Sequence, residues 1–284
     1  MTINIIDPHV HLFATDEGDY AWLKPDNPPF WPDKPAIARP FTQADLALSS
    51  PFSLAGFVHI EAGFSNTEPW REIDWLETNC TLPFRSVGFA NLQAPDFAQT
   101  LSHLTARQSI TGVRHILDDE AQSVLSCTRA RHAFGLLADA GLSFDAQLNL
   151  CDTRAIAMLR NICSLHCGLQ IIINHGLSGA ANGTLTTEWL ENLKLLAQSP
   201  NIAIKLSGWE MVNRQWQPGN IASAITQAVS IFGAQRVMLA SNFPLCTWRF
   251  DYPTFWQTIT ELCNKDDLAA LCHDNALAWY GVTA

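Results

Sequence analysis

The feature that most constrains this chain is an alternation that runs from one end to the other. Short apolar runs rich in β-branched residues are followed, each time, by longer stretches with apolar residues at helical spacing. The runs begin with Ile3–Ile6 and continue with Ala55–Glu61, Arg85–Ala90, Thr111–Ile116, Leu142–Leu148, Leu169–Asn174, Ile202–Ser207 and Arg236–Ser241. Between them the spacing predicts helices through Trp70, Ile73 and Leu76, over about Asp96–Arg107, up to Ala140, from an Asp152 cap to Gly168, and over 187–198 and 219–232. Two more close the chain, around Pro253–Cys263 and Asp266–Tyr280. Regular strand–helix alternation makes a parallel sheet. Eight such units in 284 residues predict a single-domain (β/α)8 barrel over residues 1–284. A doubly wound open sheet is the alternative. No Gly-x-Gly-x-x-Gly or Gly-x-x-x-x-Gly-Lys run follows a strand to support it.

Residues 14–40 interrupt the alternation. They carry Trp22, Pro25, Pro28, Pro29, Phe30, Trp31, Pro32, Pro35 and Pro40. So many prolines exclude a helix or a central strand. The aromatics argue against disorder, so the segment reads as an ordered flap over the mouth of a site.

Charge and composition exclude some functions. The formal net charge is −10, from 17 basic and 27 acidic residues with no basic run, which argues against nucleic-acid binding. No basic-then-apolar leader and no membrane-length apolar run is present, so a cytoplasmic protein is expected. Eight cysteines are scattered without a Cys-x-x-Cys pair, which speaks against a zinc ribbon or redox motif. Cys246, after the last strand, is the one placed to react. Trp70 and Trp256 are candidates for a homo-oligomer interface, although tryptophan in such helices mostly belongs to the core.

A barrel enzyme carries its chemistry at the C-terminal ends of its strands. Polar residues cluster there: His9 and His11, His59 and Glu61, Asn91, Arg114 and His115, Asp145 and Gln147, Asn174 and His175, Lys205, Ser207 and Trp209, and Ser241 and Asn242. His9 and His11, one residue apart, share one side of an extended segment. If Glu61 faces inward by strict alternation, His59 does too and Ile60 faces out. His103, His132, His166 and His273 fall in helical stretches and read as surface or capping residues.

Seven pieces of the chain together resemble the amidohydrolase-2 group of the amidohydrolase superfamily, in particular its lactonase-like members. They are Asp7-Pro8-His9-Val10-His11-Leu12-Phe13, Tyr20-Ala21-Trp22-Leu23, Gly112-Val113-Arg114-His115, Leu142-Ser143-Phe144-Asp145, Ile173-Asn174-His175-Gly176, Lys205-Leu206-Ser207-Gly208 and Ser241-Asn242-Phe243-Pro244. The resemblance implies a (β/α)8 barrel that opens a lactone, either a sugar lactone or a carboxylated muconolactone or pyrone. It implies a divalent metal, zinc on this ligand set, with His9, His11 and His175 as ligands; a metal-free site is equally consistent. Two departures stand out. The aspartate that ends the superfamily's eighth strand is Asn242 here, and an amide is neither a general base nor an anionic ligand. The fifth strand carries Asp145 and Gln147 in place of a metal histidine.

The expected roles follow. His175 is the first candidate for the base, then Glu61 and Asp145, with Asn242 positioning the water. Arg114, His9 and His11 bind a carboxylate or polarise the carbonyl. Lys205 binds a substrate anion, and His115, Asn174 and Trp22 complete the substrate site. A metal-dependent decarboxylase of an unsaturated or aromatic acid, or a barrel that only binds ligand, are the alternatives.

Overall fold

In the computed structural model, which describes residues 2–176 and 185–283, the alternation folds as expected. Eight parallel strands follow in sequence order: β1 Ile3–Val10, β2 Phe52–Ile60, β3 Phe84–Phe89, β4 Ile110–Ile116, β5 Ser143–Gln147, β6 Ile171–Ile173, β7 Ile202–Leu206 and β8 Val237–Leu239. Each is hydrogen-bonded to the next. The ring closes where Val10 and Phe243 form a parallel bridge and His11 N donates to Phe243 O at 2.7 Å.

Asp7 clips this seam. Its buried carboxylate accepts from His9 N, Ser241 N, Ser241 Oγ and Tyr252 Oη at 2.5–3.2 Å. Burial pushes its carboxyl up to about 6 against the pull of those bonds.

The helices form the outer layer: α1 Trp70–Asn79, α2 Phe97–Thr105, α3 Ala121–Ser126, α4 Thr128–Asp139, α5 Thr153–Leu165, α6 Thr187–Ala197, α7 Trp209–Val212, α8 Pro218–Phe232, α9 Tyr252–Glu261 and α10 Asn275–Tyr280. Asp152 caps α5 by accepting from Arg154 N and Ala155 N. Gly141, at φ 67°, ends α4. Gly168 does not end α5, which stops at Leu165 with His166 as its cap.

Inside the barrel, Ile6, Val58, Ile60, Val87, Ile172, Ala203 and Met238 pack against Ala276, Tyr280 and Val282. The chain's end therefore closes the barrel at the strand starts. Asn275 Nδ2 donates to Val237 O, Arg85 Nε to Gly281 O and Thr111 Oγ to Tyr280 O. Only the other end, where the strands finish, is left for a site.

One expectation needs correction, and two are refined. Ile60, not His59, faces the interior; His59 faces α1, where its Nε2 lies 3.2 Å from Glu72 Oε1. Trp256 is fully buried and offers no surface for a second copy. The last helix is continuous over residues 268–280, with a π-helical turn at Ala270–Asp274 leading into α10.

Candidate active site

At the strand ends lies a cavity of about 1030 Å3. Its floor depends on an irregularity in β1. The pairing with β2 shifts between Asp7 and Val10, next to Pro8. A bulge changes which face the following residues present. Ile6 thus packs inside the barrel, Val10 and Leu12 join the outer core, and His9 and His11 turn toward the centre. His11 Nδ1 bonds Ile60 O at 2.8 Å, so that nitrogen carries the proton and Nε2 is bare. His9 Nε2, 3.1 Å away, donates to it, which leaves His9 Nδ1 without a partner. His11 lines the cavity and His9 lies buried beside it.

One wall is a chain of hydrogen bonds across three strands. Arg114 Nε donates to Glu61 Oε1 at 2.8 Å, Nη2 to Glu61 O at 2.8 Å and Nη1 to Gln147 Oε1 at 3.3 Å. Gln147 Nε2 then reaches Asp118 Oδ2 at 3.2 Å. All four residues line the cavity. Burial pushes the Glu61 carboxyl up to about 7, against the pull of Arg114. Burial also raises Asp118. A guanidinium has five N–H bonds, so two of Arg114's are left after these three. The edge that would have gripped a substrate carboxylate is already engaged by Glu61.

The opposite side is built on strained backbone. His175 (φ 53°) and Asn242 (φ 58°) adopt the left-handed region, as does Asp118 (φ 32°) on the first wall, and all three line the cavity. Such strain concentrates where side chains must be aimed. His175 Nδ1 bonds Ser207 Oγ at 3.1 Å, so Nε2 is the ring nitrogen left for the cavity. Gly208 must be glycine: it sits at φ 72°, and a Cβ there would come within 2.5 Å of His175 Nδ1. Burial, then the charges of Arg114 and Lys205, hold His175 down at about 3. Asn242 donates Nδ2 to Glu210 Oε1 at 2.5 Å and to Met211 Sδ at 3.5 Å.

Part of the 14–40 segment borders the cavity. Trp22, Pro28, Pro29 and Trp31 line the cavity, and Trp22 Nε1 donates to Ala62 O at 2.7 Å. Arg214 pairs with Asp33 at 2.6 Å and Trp248 Nε1 donates to Asp33 O, which ties the segment to the barrel. His115 completes the lining, and burial lowers its pKa.

Three sequence candidates lie elsewhere. Lys205 is fully buried and paired with Asp145 at 2.6 Å, and Tyr280 Oη also donates to Asp145 Oδ1. Neither member of the pair lines the cavity, because their inward positions lie within the barrel, in reach of Tyr280. Asn174 is fully buried with neither end of its amide partnered. Conversely, Asp118, Asp119 and Met211 line the cavity, and Glu210 contacts it through Asn242. Asp118 and Asp119 sit just beyond β4, and Glu210 and Met211 in the short α7 after β7, where strand alternation no longer assigns a direction. The acidic run Asp118-Asp119-Glu120 after β4 was the only visible signal.

A closed barrel with a polar, partly strained rim at its strand ends is built as an enzyme of the (β/α)8 class. More narrowly, the chain belongs to the amidohydrolase family, whose model matches residues 6–282. It is 31% identical over 297 aligned residues to an uncharacterized protein, y4mH, of Sinorhizobium fredii, covering 99% of each chain. It is 26% identical over 262 residues to the L-fucono-1,5-lactonase of Burkholderia multivorans, covering 87% of this chain and 84% of that one. Among solved structures, a zinc-bound amidohydrolase from Burkholderia multivorans superposes with a TM-score of 0.77 at 20% identity, covering 98% and 99% of the two chains.

The residues present do not fit a divalent ion. Among the described residues, no three His, Cys, Asp or Glu side chains are gathered to hold one. His9 and His11 form a pair through their Nε2 atoms, and His175, whose Nδ1 bonds Ser207, packs against His9 at a 46° tilt. The expected ligand set of His9, His11 and His175 is not gathered around one point in this geometry. The charge balance agrees: Arg114 and Lys205 already press on these imidazoles. The carboxylates Glu61 and Asp145 are engaged by those same cations. Asn242 adds no charge. A dication at the histidines would add positive charge beside Arg114 and Lys205, whose partner carboxylates Glu61 and Asp145 are already engaged.

Proposed function

We propose that this protein hydrolyses the ring ester of an uncharged, polyhydroxylated lactone, a sugar lactone in chemical class. The charge around the cavity carries the reading. The carboxylates of Glu61, Asp118 and Asp119 line it against the single guanidinium of Arg114, with neutral histidines between them. Glu61 already engages that guanidinium, and Lys205 is sealed away with Asp145. Such a wall repels a dicarboxylate and offers acceptors to hydroxyl groups. Trp22 and Trp31 offer flat apolar faces to the C–H side of a sugar ring. Segment 14–40 acts as the flap that holds these faces over the ring. The similarity to an L-fucono-1,5-lactonase supports the same class.

The chain's own groups supply the steps. Arg114, held by Glu61 and Gln147, aims its two remaining N–H bonds at the lactone carbonyl oxygen and stabilises the oxyanion. His175, neutral at working pH, takes a proton from water through Nε2 as the water oxygen bonds to the carbonyl carbon. Its low basicity in the resting site comes from burial and from Arg114 and Lys205. The oxyanion that forms beside Arg114 offsets that repulsion, so the imidazole becomes a better acceptor as the reaction proceeds. When the ring C–O bond breaks, His175 returns the proton to the departing alkoxide. Hydrolysis in labelled water tests this reading. One 18O atom is expected in the product carboxylate, with turnover lost in His175→Ala. Release of carbon dioxide, or no turnover of any lactone, would overturn it.

A further inference from the structure

The contact between Asn242 and Glu210 has a consequence for the side of the cavity that faces α7. Both hydrogens of the Asn242 carboxamide have acceptors, Glu210 Oε1 and Met211 Sδ. Its carbonyl oxygen Oδ1 is buried without a partner, and the residue lines the cavity. Glu210 itself is fully buried and does not line the cavity, and its Oε2 is also unpartnered. A buried polar atom left unpaired inside a folded protein calls for a ligand or a functional role. Here the orientation of the amide is dictated, because a carboxylate and a thioether only accept hydrogen bonds. Turning the amide over would set its oxygen against the carboxylate.

We propose that Glu210 is a positioning residue that holds the Asn242 carboxamide with its carbonyl oxygen turned into the cavity, as an acceptor for an O–H donor. This deepens the lactonase reading and rests on it for the nature of that donor, which is the attacking water or a substrate hydroxyl. Two features fix Glu210. Gly208 in the left-handed region turns the chain into α7, and Arg214 Nη1 donates to Glu210 O while pairing with Asp33 of the flap segment. Burial pushes the Glu210 carboxyl up to about 7, and the Asn242 hydrogen bond pulls it back. The other charged or titratable groups bearing on it are Arg214 and Cys246, with Asp7 and Asp251 acting on Cys246 in turn. Below about pH 7 the protonated carboxyl no longer dictates the amide's orientation, so the device works best above that pH.

The test compares wild type, Glu210→Gln, Asn242→Ala and the double variant, using a six-carbon aldonic 1,5-lactone as probe. Glutamine at 210 both donates and accepts, so it cannot impose an orientation. Glu210→Gln is expected to lower kcat/KM at least tenfold, through kcat if the donor is water and through KM if it is a substrate hydroxyl. In the Asn242→Ala background the same change is expected to cost less than twofold, because Glu210 acts through Asn242. A tenfold further loss in that background would overturn the proposal. Side-chain amide NMR makes the test independent of substrate. The Asn242 Nδ2 resonances are expected to shift in Glu210→Gln, and unchanged resonances would also overturn it. If Glu210→Gln does not fold, the carboxyl carbon of Glu210 is titrated in Asn242→Ala. Its midpoint is expected to rise, and an unmoved midpoint would count against the contact. Absence of lactone turnover by the wild type would overturn the lactonase reading alone, and the resonances would still decide the positioning role.

Discussion

His175 shows how a single residue is set by its surroundings. The imidazole is buried, bonded through Nδ1 to Ser207 and flanked by the charges of Arg114 and Lys205. Because its pKa is lowered, it takes up a proton only when the pH falls toward about 3. Its ring nitrogens are therefore expected to show no titration between pH 8 and pH 5 by 15N NMR; a midpoint near 6.5 would contradict this. His175→Ala is expected to lower kcat by about 10^2 to 10^4-fold, the usual contribution of a general base, with KM within threefold by steady-state assay. Arg114→Lys is expected to lower kcat by roughly 10^2-fold or more, since an ammonium cannot satisfy Glu61 and Gln147 and still donate to an oxyanion. At this scale the sequence was a partial guide. Glu61, Arg114, His175 and Asn242 were legible as cavity-lining because each lies within three residues of a strand's C-terminal end. Glu210 was not, since the left-handed turn at Gly208 redirects the chain one residue past the strand-end pattern. Lys205 misled because a charged residue late on a strand can point inward and still lie below the site, where Asp145 and Tyr280 meet it.

At the scale of elements, two joints hold the site in place. The first is the β1–β8 seam. Asp7 gathers four donors there. Asp7→Ala leaves them in a buried setting without an acceptor, at a cost of about 1–3 kcal/mol for each donor that finds no other. A drop of at least 5 °C in Tm is expected by calorimetry, and an unchanged Tm would remove Asp7 from this role. The Asp-x-His-x-His spacing was plain in the sequence, but its division of labour was not. The bulge that sends Asp7 to the seam, His11 to the cavity and His9 beneath it depends on pairing with β2. The second joint is the 14–40 segment, tied through Trp22 to Ala62 and through Asp33 to Arg214. Trp22→Ala is expected to raise KM at least tenfold with kcat within threefold, because the indole holds the ring without touching the reacting atoms. The prolines predict an irregular segment. Its contacts with Ala62, Arg214 and Trp248 are long-range and leave no local trace.

For the whole molecule, the barrel architecture was the most legible feature, because eight repeated strand–helix units admit few topologies. The charge balance of the cavity was the least legible. Arg114 and Lys205 read as free cations in sequence; only the fold shows each facing a carboxylate of another strand. That balance leads to two expectations. Dialysis against a chelator is expected to leave turnover within twofold of the untreated protein; loss of activity restored by zinc would contradict the charge argument. The most direct measurement is the ratio of kcat/KM for an uncharged six-carbon aldonic 1,5-lactone to that for a dicarboxylated pyrone on the same preparation. A ratio of at least 10^2 in favour of the sugar lactone is expected. Equal turnover of the two, or preference for the dicarboxylate, would contradict the account.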